Sequence, residues 1–256
     1  AVATELLHNA TLLHDDVADD SPTRRGRPTV MSLLGGRASV LLGDYWLVKA
    51  IDNVLVNKTS SSEVIKVFSR TLADLAEGEI LQLQKADLGD TAENDYYRII
   101  FNKTASLFVT SAESAAISVS ASAEKMKAVK SYAEYLGIAF QIRDDIFDYE
   151  ENPDTGKPVG LDLKEKKITL PLLGALKNAS EEEAKDIRRK VCRIDEHPEW
   201  QKEIVEFVHR NGGLEYARKR LYEYVERAKL SLRPLGKSED ADKLADIAEF
   251  TADRKS

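Results

Sequence analysis

Residues 123–149 read AEKMKAVKSYAEYLGIAFQIRDDIFDY, and this stretch decides the fold. Its apolar and polar residues recur at the helical period, with no strand-like alternation to compete. The helix runs into three carboxylates, Asp144, Asp145 and Asp148. Residues three and four apart share a helix face, so the three lie together. Residues 1–19, AVATELLHNATLLHDDVAD, repeat the form: an apolar helix over Ala1–Ala18 that ends in Asp15, Asp16 and Asp19. Like charges on one face repel, and Asp is a poor residue inside a helix. The helix dipole is also unfavourable to carboxylates at a C-terminal end. A chain that accepts these costs twice is expected to hold a cation. Oxygen donors with no His or Cys among them favour magnesium, which takes one or two carboxylates together with substrate phosphates. The two clusters are thus expected to act as facing clamps on a phosphorylated substrate.

Working outward, helical periodicity continues almost everywhere. Ser21–Thr29 is a loop marked by Pro22, Gly26 and Pro28. Gly35–Asn57 is helical and apolar on most sides, and is expected to be buried. Helices follow over Glu63–Lys85, Ala92–Ser120 and Leu163–Lys177. The remainder divides into three or four amphipathic helices near Pro198, Gly212-Gly213 and Pro234–Gly236. No repeat of the solenoid kind is present. The predicted fold class is all-α, a helical bundle around a central apolar cavity.

Composition narrows the function. Of 256 residues, 43% are hydrophobic and 32% charged, enough for a sizeable core. A net charge of -7 leaves no basic surplus for a nucleic-acid backbone, so no nucleic-acid partner is expected. Phosphate must then be held locally, by metal and a few placed cations. Cys192 is the sole cysteine, so an intramolecular disulfide framework is excluded and a reducing, cytoplasmic compartment is expected. No apolar run approaches the ~18 residues of a membrane span, and no signal peptide is visible.

The segment just after the first cluster, Ser21-Pro22-Thr23-Arg24-Arg25-Gly26-Arg27-Pro28, adds an anion grip. Paired arginines in a tight loop hold phosphate oxygens bidentately. Close behind three carboxylates, they would converge with the metal on one anion. Other polar residues carry less. His14 touches the cluster in sequence, but magnesium prefers oxygen. Asp20 extends the acidic run and suits the loop. His197 and His209 have no motif around them. Gly35 and Gly36 form a turn into a helix, with no phosphate-loop pattern. Asp74, Glu77 and Glu79 read as a charged helix face, and Glu181–Glu183 as a solvated helix start. A calcium module of the EF-hand type needs a glycine at loop position six and a glutamate at twelve, which neither cluster supplies.

Taken together, HNATLLHDDVADDSPTRRGRPTV (8–30), AFQIRDDIFDY (139–149) and GKPVGLDLKEKKITLP (156–171) resemble the trans-isoprenyl diphosphate synthases, the polyprenyl synthetase family. The resemblance covers essentially the whole chain, as one domain over 1–256. It implies an isoprenoid synthase-like fold and three magnesium ions held by Asp15, Asp16, Asp19, Asp144, Asp145 and Asp148 against an allylic diphosphate. It further implies that Arg24 contacts that diphosphate, and that Arg25 and His8 bind isopentenyl diphosphate. Lys103 and Thr104, in FNKTASLF, match a pair near the allylic diphosphate. Gln141 matches a residue near the reacting carbons, with Phe140 beside it. Lys157 and Lys167 match lysines that close over the diphosphate. A homodimer is the family's usual assembly.

The implied chemistry agrees with the residues. Diphosphate leaves only when its charge is neutralised, the work of magnesium, Lys and Arg. The allylic cation left behind must be kept from water in a dry cavity. Polar tips such as Thr104 and Gln141 steady that charge without attacking it. The isopentenyl double bond then attacks and a proton is lost, with the departed diphosphate as the family's expected base. Ala10 and Thr11, one turn ahead of Asp15, are both small. In the family, bulky aromatics there stop growth at farnesyl length, so small residues imply a product longer than twenty carbons, such as a quinone side-chain precursor. A geranylgeranyl synthase and a non-catalytic subunit of a heteromeric synthase are the alternatives. Intact aspartate clusters count against the second. Members normally carry further helices ahead of the first motif, including a Gly-Lys-x-x-Arg-Pro segment that grips isopentenyl diphosphate. The sequence starts fourteen residues before Asp15, so this half of the site is expected to be incomplete here.

Overall fold

Apolar residues at helical spacing produce helices throughout the computed structural model, which describes residues 1–24, 26–56, 61–150 and 159–254. The described residues form two compact units. The first comprises residues 1–70 and 113–121, and the second 71–112 and 122–256.

In the first unit, α1 (Val2–Ala18) packs along α3 (Gly36–Val56), with the short α2 (Val30–Leu34) between them in sequence. Leu7, Ala10, Leu13 and Asp16 are the buried residues of α1, a line at spacing three that carries the aspartate cluster on the packed face. Ser39 fixes the pairing by donating its hydroxyl to the Leu13 carbonyl at 2.8 Å. Between α1 and α2 the expected loop contains a small hairpin, β1 (Thr23–Arg24) against β2 (Arg27–Pro28). Gly26 sits in its turn at φ +72°, a conformation glycine adopts without penalty. Thr29 ends the hairpin and caps α2, accepting from the Ser32 amide at 3.1 Å.

The helix expected over 35–57 is present as α3, but it is not buried. Only Ser39, Gly43, Ala50 and Val54 are enclosed. Leu41, Tyr45, Val48 and Leu55 are each more than half exposed and recur at spacings of four, three and seven, one stripe on the helix. The helix is apolar on two sides, and α1 covers one of them.

The helix α4 (Ser61–Leu88) passes from the first unit into the second. The single helix expected over 92–120 is instead α5 (Glu93–Ile100), a five-residue π-turn at Phe101–Ala105, and α6 (Ser106–Ser118). A π-turn inserts one residue into the helical register, and such turns cluster at functional sites. The long α7 (Ala123–Phe147) is capped by Ser122, which accepts from the Lys125 amide at 3.3 Å.

The helix expected over Leu163–Lys177 is broken in two, α8 (Leu161–Lys164) and α9 (Leu170–Asn178). Pro171 explains the break: it has no amide to donate and fits the first turn of a helix, so a new helix begins there. Lys166, between them, has φ +57°. Leu170–Leu176 of α9 are buried on every side. Each leucine there is stabilised by about 1.5–3 kcal/mol relative to exposure. Four amphipathic helices follow, α10 (Glu181–Cys192), α11 (Trp200–Arg210), α12 (Gly213–Ser231) and α13 (Glu239–Asp253), divided where the sequence reading placed the breaks. In this second unit α12 packs on both α7 and α9, and α13 packs on α7 and α12. Among the described residues no helix is long and apolar enough to cross a membrane.

Candidate active site

Each aspartate cluster ends a helix, and each is built the same way. In α1 the middle aspartate, Asp16, is buried, Asp15 is half-buried and Asp19 exposed. Asp16 accepts from Arg24 Nε at 2.8 Å, so the hairpin arginine is tied to the cluster it follows. His14 turns away toward α3, where its Nε2 lies 3.1 Å from Asp44 and its ring fills the space over Gly43. The donors this cluster can offer a cation are therefore oxygens alone. Arg25 and Lys157 lie outside the described residues.

In α7 the middle aspartate is again the buried one. Asp145 accepts from Tyr96 Oη at 2.6 Å and from Gln141 Nε2 at 2.9 Å. Gln141 Oε1 in turn accepts from Thr104 Oγ1 at 2.7 Å. Thr104, Gln141, Asp145 and Tyr96 thus form one hydrogen-bonded chain across α5, the π-turn and α7. Thr104 and Gln141 were expected as polar tips near the reacting carbons. What the structure shows of them is that they fix how Asp145 presents its oxygens.

Asp148 caps the first turn of α8. Its two oxygens accept from the amides of Leu161 and Asp162 at 2.8 and 3.1 Å. Burial, and then the charge of Asp162, push the Asp148 carboxyl up to about 7 against those amide bonds. Burial raises Asp145 well above the ordinary carboxylate range, with Asp162 adding to it. Asp162 is itself raised, chiefly by loss of water, with Lys167 opposing. These carboxyls crowd one another and lack water, the condition a cation relieves. Asp144 faces Arg254, which donates to its Oδ1. Among the described residues no group of three or more His, Cys, Asp or Glu side chains encloses an ion by itself. Magnesium needs no such cage, because waters and phosphate oxygens complete its octahedron. The donor set therefore fits an ion that arrives with a diphosphate.

The remaining predicted residues fall as follows. Lys103 lies in the π-turn and pairs with Glu79 of α4. Lys167 pairs with Glu165, and its amide donates to the Asp162 carbonyl at 2.9 Å. His8 is half-buried on α1, one turn from Thr11, whose hydroxyl donates to the His8 carbonyl at 2.8 Å. Ala10 is buried and Thr11 half-buried.

Three residues of the site escaped sequence reasoning: Tyr96, Asp162 and Glu79. Asp162 had a faint signal, a carboxylate before the basic run Lys164–Lys167. Glu79 was read as helix surface, and Tyr96 carried no signal because its role depends on a contact 49 residues away.

Two glycines let the helices approach the π-turn. A Cβ on Gly137 would lie 2.6 Å from Ala105 Cα and 2.8 Å from its Cβ. A Cβ on Gly78 would lie 2.8 Å from Lys103 Cγ. Gly137→Ala must therefore displace the turn, at an expected ~1–3 kcal/mol. Displacing Thr104 by a fraction of an ångström disturbs the chain to Asp145. The variant is expected to melt lower and lose roughly 10²-fold in kcat/KM. Unchanged kinetics would mean the close approach has no bearing on the site.

The comparisons with known proteins agree in direction. The polyprenyl synthetase family model matches residues 1–208. An all-trans-nonaprenyl-diphosphate synthase (geranyl-diphosphate specific) of Rhodobacter capsulatus is 38% identical over 255 residues, covering 99% of the chain and 77% of the relative. The octaprenyl diphosphate synthase of Escherichia coli K12 is 36% identical over 255 residues, covering 99% and 78%. Among solved structures, a polyprenyl synthase from Caulobacter crescentus CB15, complexed with calcium and isoprenyl diphosphate, superposes with a TM-score of 0.90 at 34% identity, covering 99% of this chain and 77% of that one.

Proposed function

The chain belongs to the polyprenyl synthetase family, and we propose that it condenses isopentenyl diphosphate head-to-tail with an allylic diphosphate, farnesyl or geranylgeranyl, to give a long all-trans polyprenyl diphosphate. The observation that carries this reading is the pair of helix-ending aspartate clusters, each with its middle carboxylate buried and hydrogen-bonded. In both, the helix gives up stability to present oxygens, and both clusters serve the same allylic diphosphate.

Asp15, Asp16 and Asp19 with Asp144, Asp145 and Asp148 would hold three magnesium ions. Bound there, magnesium would neutralise the diphosphate and make it a leaving group. That the Caulobacter relative was crystallised with calcium and isoprenyl diphosphate supports a divalent cation as the companion of this substrate class. Arg24, beside Asp16, and Lys103, in the π-turn, add positive charge for the diphosphate oxygens. Arg25 and His8 are assigned to isopentenyl diphosphate, and Lys157 and Lys167 to closure over the allylic diphosphate. Thr104 and Gln141 offer oxygens to the allylic cation, which they can steady but not trap. Their bonds to one another and to Asp145 hold those oxygens in place.

Length follows from α1. In this reading Ala10 and Thr11, small side chains one turn ahead of Asp15, would leave room for a growing chain. The names of the octaprenyl and nonaprenyl relatives support a product of that class, as a quinone side-chain precursor would be. The protein acts as a homodimer in this reading. The uncovered stripe Leu41, Tyr45, Val48 and Leu55 supports it, since an apolar face of that kind marks an interaction surface.

Chromatography of products from isopentenyl diphosphate with geranyl, farnesyl or geranylgeranyl diphosphate and magnesium tests the function. Products beyond twenty carbons are expected. A twenty-carbon end product would establish a geranylgeranyl synthase instead, and no turnover by the intact protein would favour a non-catalytic subunit.

A further inference from the structure

Arg254 follows α13 and reaches back 110 residues in sequence to α7. Its guanidinium Nη2 donates to Asp144 Oδ1 and to the Phe140 carbonyl, the latter at 3.2 Å. Its Cζ lies 4.1 Å from the centre of the Phe140 ring and 5.3 Å from that of Phe147. The backbone is held as firmly. The Arg254 carbonyl accepts from Arg143 Nε and Nη2 at 3.2 and 2.9 Å, and its amide donates to the Phe250 carbonyl at 2.8 Å. Arg143 is itself fixed by Glu150 at 3.4 Å and by stacking on Phe147 at 4.1 Å. The arginine side chain is 13% exposed and Asp144 39% exposed, so the cation is sheltered and the carboxylate is in part exposed.

The arrangement is not a fully satisfied structural pair. Among the described residues Arg254 Nε is buried without a hydrogen-bond partner, an uncommon state for a buried donor. Asp144 is the carboxylate of its cluster that the guanidinium addresses, while Asp145 and Asp148 are held by neutral donors. A guanidinium and a divalent cation repel, and each lowers the other's gain from the same carboxylate. Two ligands that oppose one another in this way are coupled reciprocally.

We propose that Arg254 is a resident counter-cation of the second aspartate cluster, which must yield Asp144 before a divalent cation takes it, and so sets the metal concentration the enzyme requires. This rests on the reading of Asp144 as a metal-binding carboxylate. Without metal, Arg254 stabilises the cluster and docks the end of α13 on α7. With metal, the guanidinium is released from Asp144 while its backbone stays held by Arg143. The exchange leaves Asp144 facing a cation in both states.

The test is calorimetric titration of the protein with Mn2+ in the presence of inorganic pyrophosphate, with melting temperatures measured with and without both. Arg254→Gln is expected to tighten Mn2+ binding roughly fivefold or more. It should also lower the melting temperature of the metal-free protein more than that of the loaded protein. Arg254→Met, which keeps an apolar cover over Phe140, should tighten binding likewise. Arg254→Lys, which keeps the charge but not the planar fork, should stay nearer the native value. Equal or weaker Mn2+ binding by both Arg254→Gln and Arg254→Met overturns the proposal. Asp144→Asn separates the two readings: it should weaken binding, and native-like binding by it, or none by the unaltered protein, overturns the metal assignment and the proposal with it.

Discussion

Asp15→Ala is expected to lower kcat/KM by roughly 10³-fold or more and to leave the fold intact. A bound metal supplies several kcal/mol of charge stabilisation to a departing phosphate, and each ~1.4 kcal/mol is a factor of ten in rate. The fold should not suffer, because Asp15 is half-buried near the C-terminal end of α1. A carboxylate is unfavourable there, and alanine is the better helix former. Steady-state kinetics and a thermal melt check both halves of the expectation. Near-normal kcat/KM would remove Asp15 from the metal site. Asp16→Ala should behave differently. Asp16 is buried and paired with Arg24, so its loss also unties the hairpin and should lower the melting temperature.

Ala10→Phe is expected to shorten the product ladder by several isoprene units. The expected effect is steric: a ring one turn ahead of the cluster would stand in the proposed path of the growing chain. Ala10 is only 1% exposed, beside Leu7 at 0%, so a phenyl group there also strains the packing of α1, at about 1–3 kcal/mol. Thr11 is half-buried, and Thr11→Phe tests the same idea with less strain. Chromatography of the two variants beside the native enzyme reads the result. An unchanged ladder from both would place the chain's path elsewhere.

Much of the fold is legible in the sequence. The helices of 1–18, 123–149 and the C-terminal third declare themselves by periodicity, and their ends by Pro198, Gly212 and Pro234. What stayed hidden had physical reasons. The π-turn at Phe101–Ala105 has no compositional mark, because the residues are those of an ordinary helix and only the register differs. The outward stripe of α3 looked like core, because apolar residues on two faces do not say which face is covered. The break before Leu170 is hidden in the sequence because Pro171 fits the first turn of a helix as well as it ends one. At the site, the aspartates and Lys103-Thr104 were visible as motifs. Tyr96, Glu79 and Arg254 were not, since each acts through a partner distant in sequence.

The two clusters also differ in a way their common motif conceals. Asp16 is satisfied by a charged group, Arg24, whereas Asp145 is satisfied by the neutral Tyr96 and Gln141. Burial without a charged partner raises the Asp145 carboxyl, and Asp162 adds to that effect. The second cluster is thus the one with more to gain from a cation. Its carboxylates are pre-positioned by neutral hydrogen bonds, and its charge is offset from one side by Arg254.

If both clusters act on one diphosphate, a double-mutant cycle on the rate of pyrophosphate release reads the coupling between them. Asp15→Ala removes a carboxylate from the first cluster. Asp144→Asn removes a charge from the second and keeps an oxygen for Arg254. Groups that stabilise the same transition state as a unit are strongly non-additive. Each single variant is therefore expected to lose most of the activity, and the double variant little more than the worse single one. Losses that multiply across the cycle would show two independent sites and contradict the account.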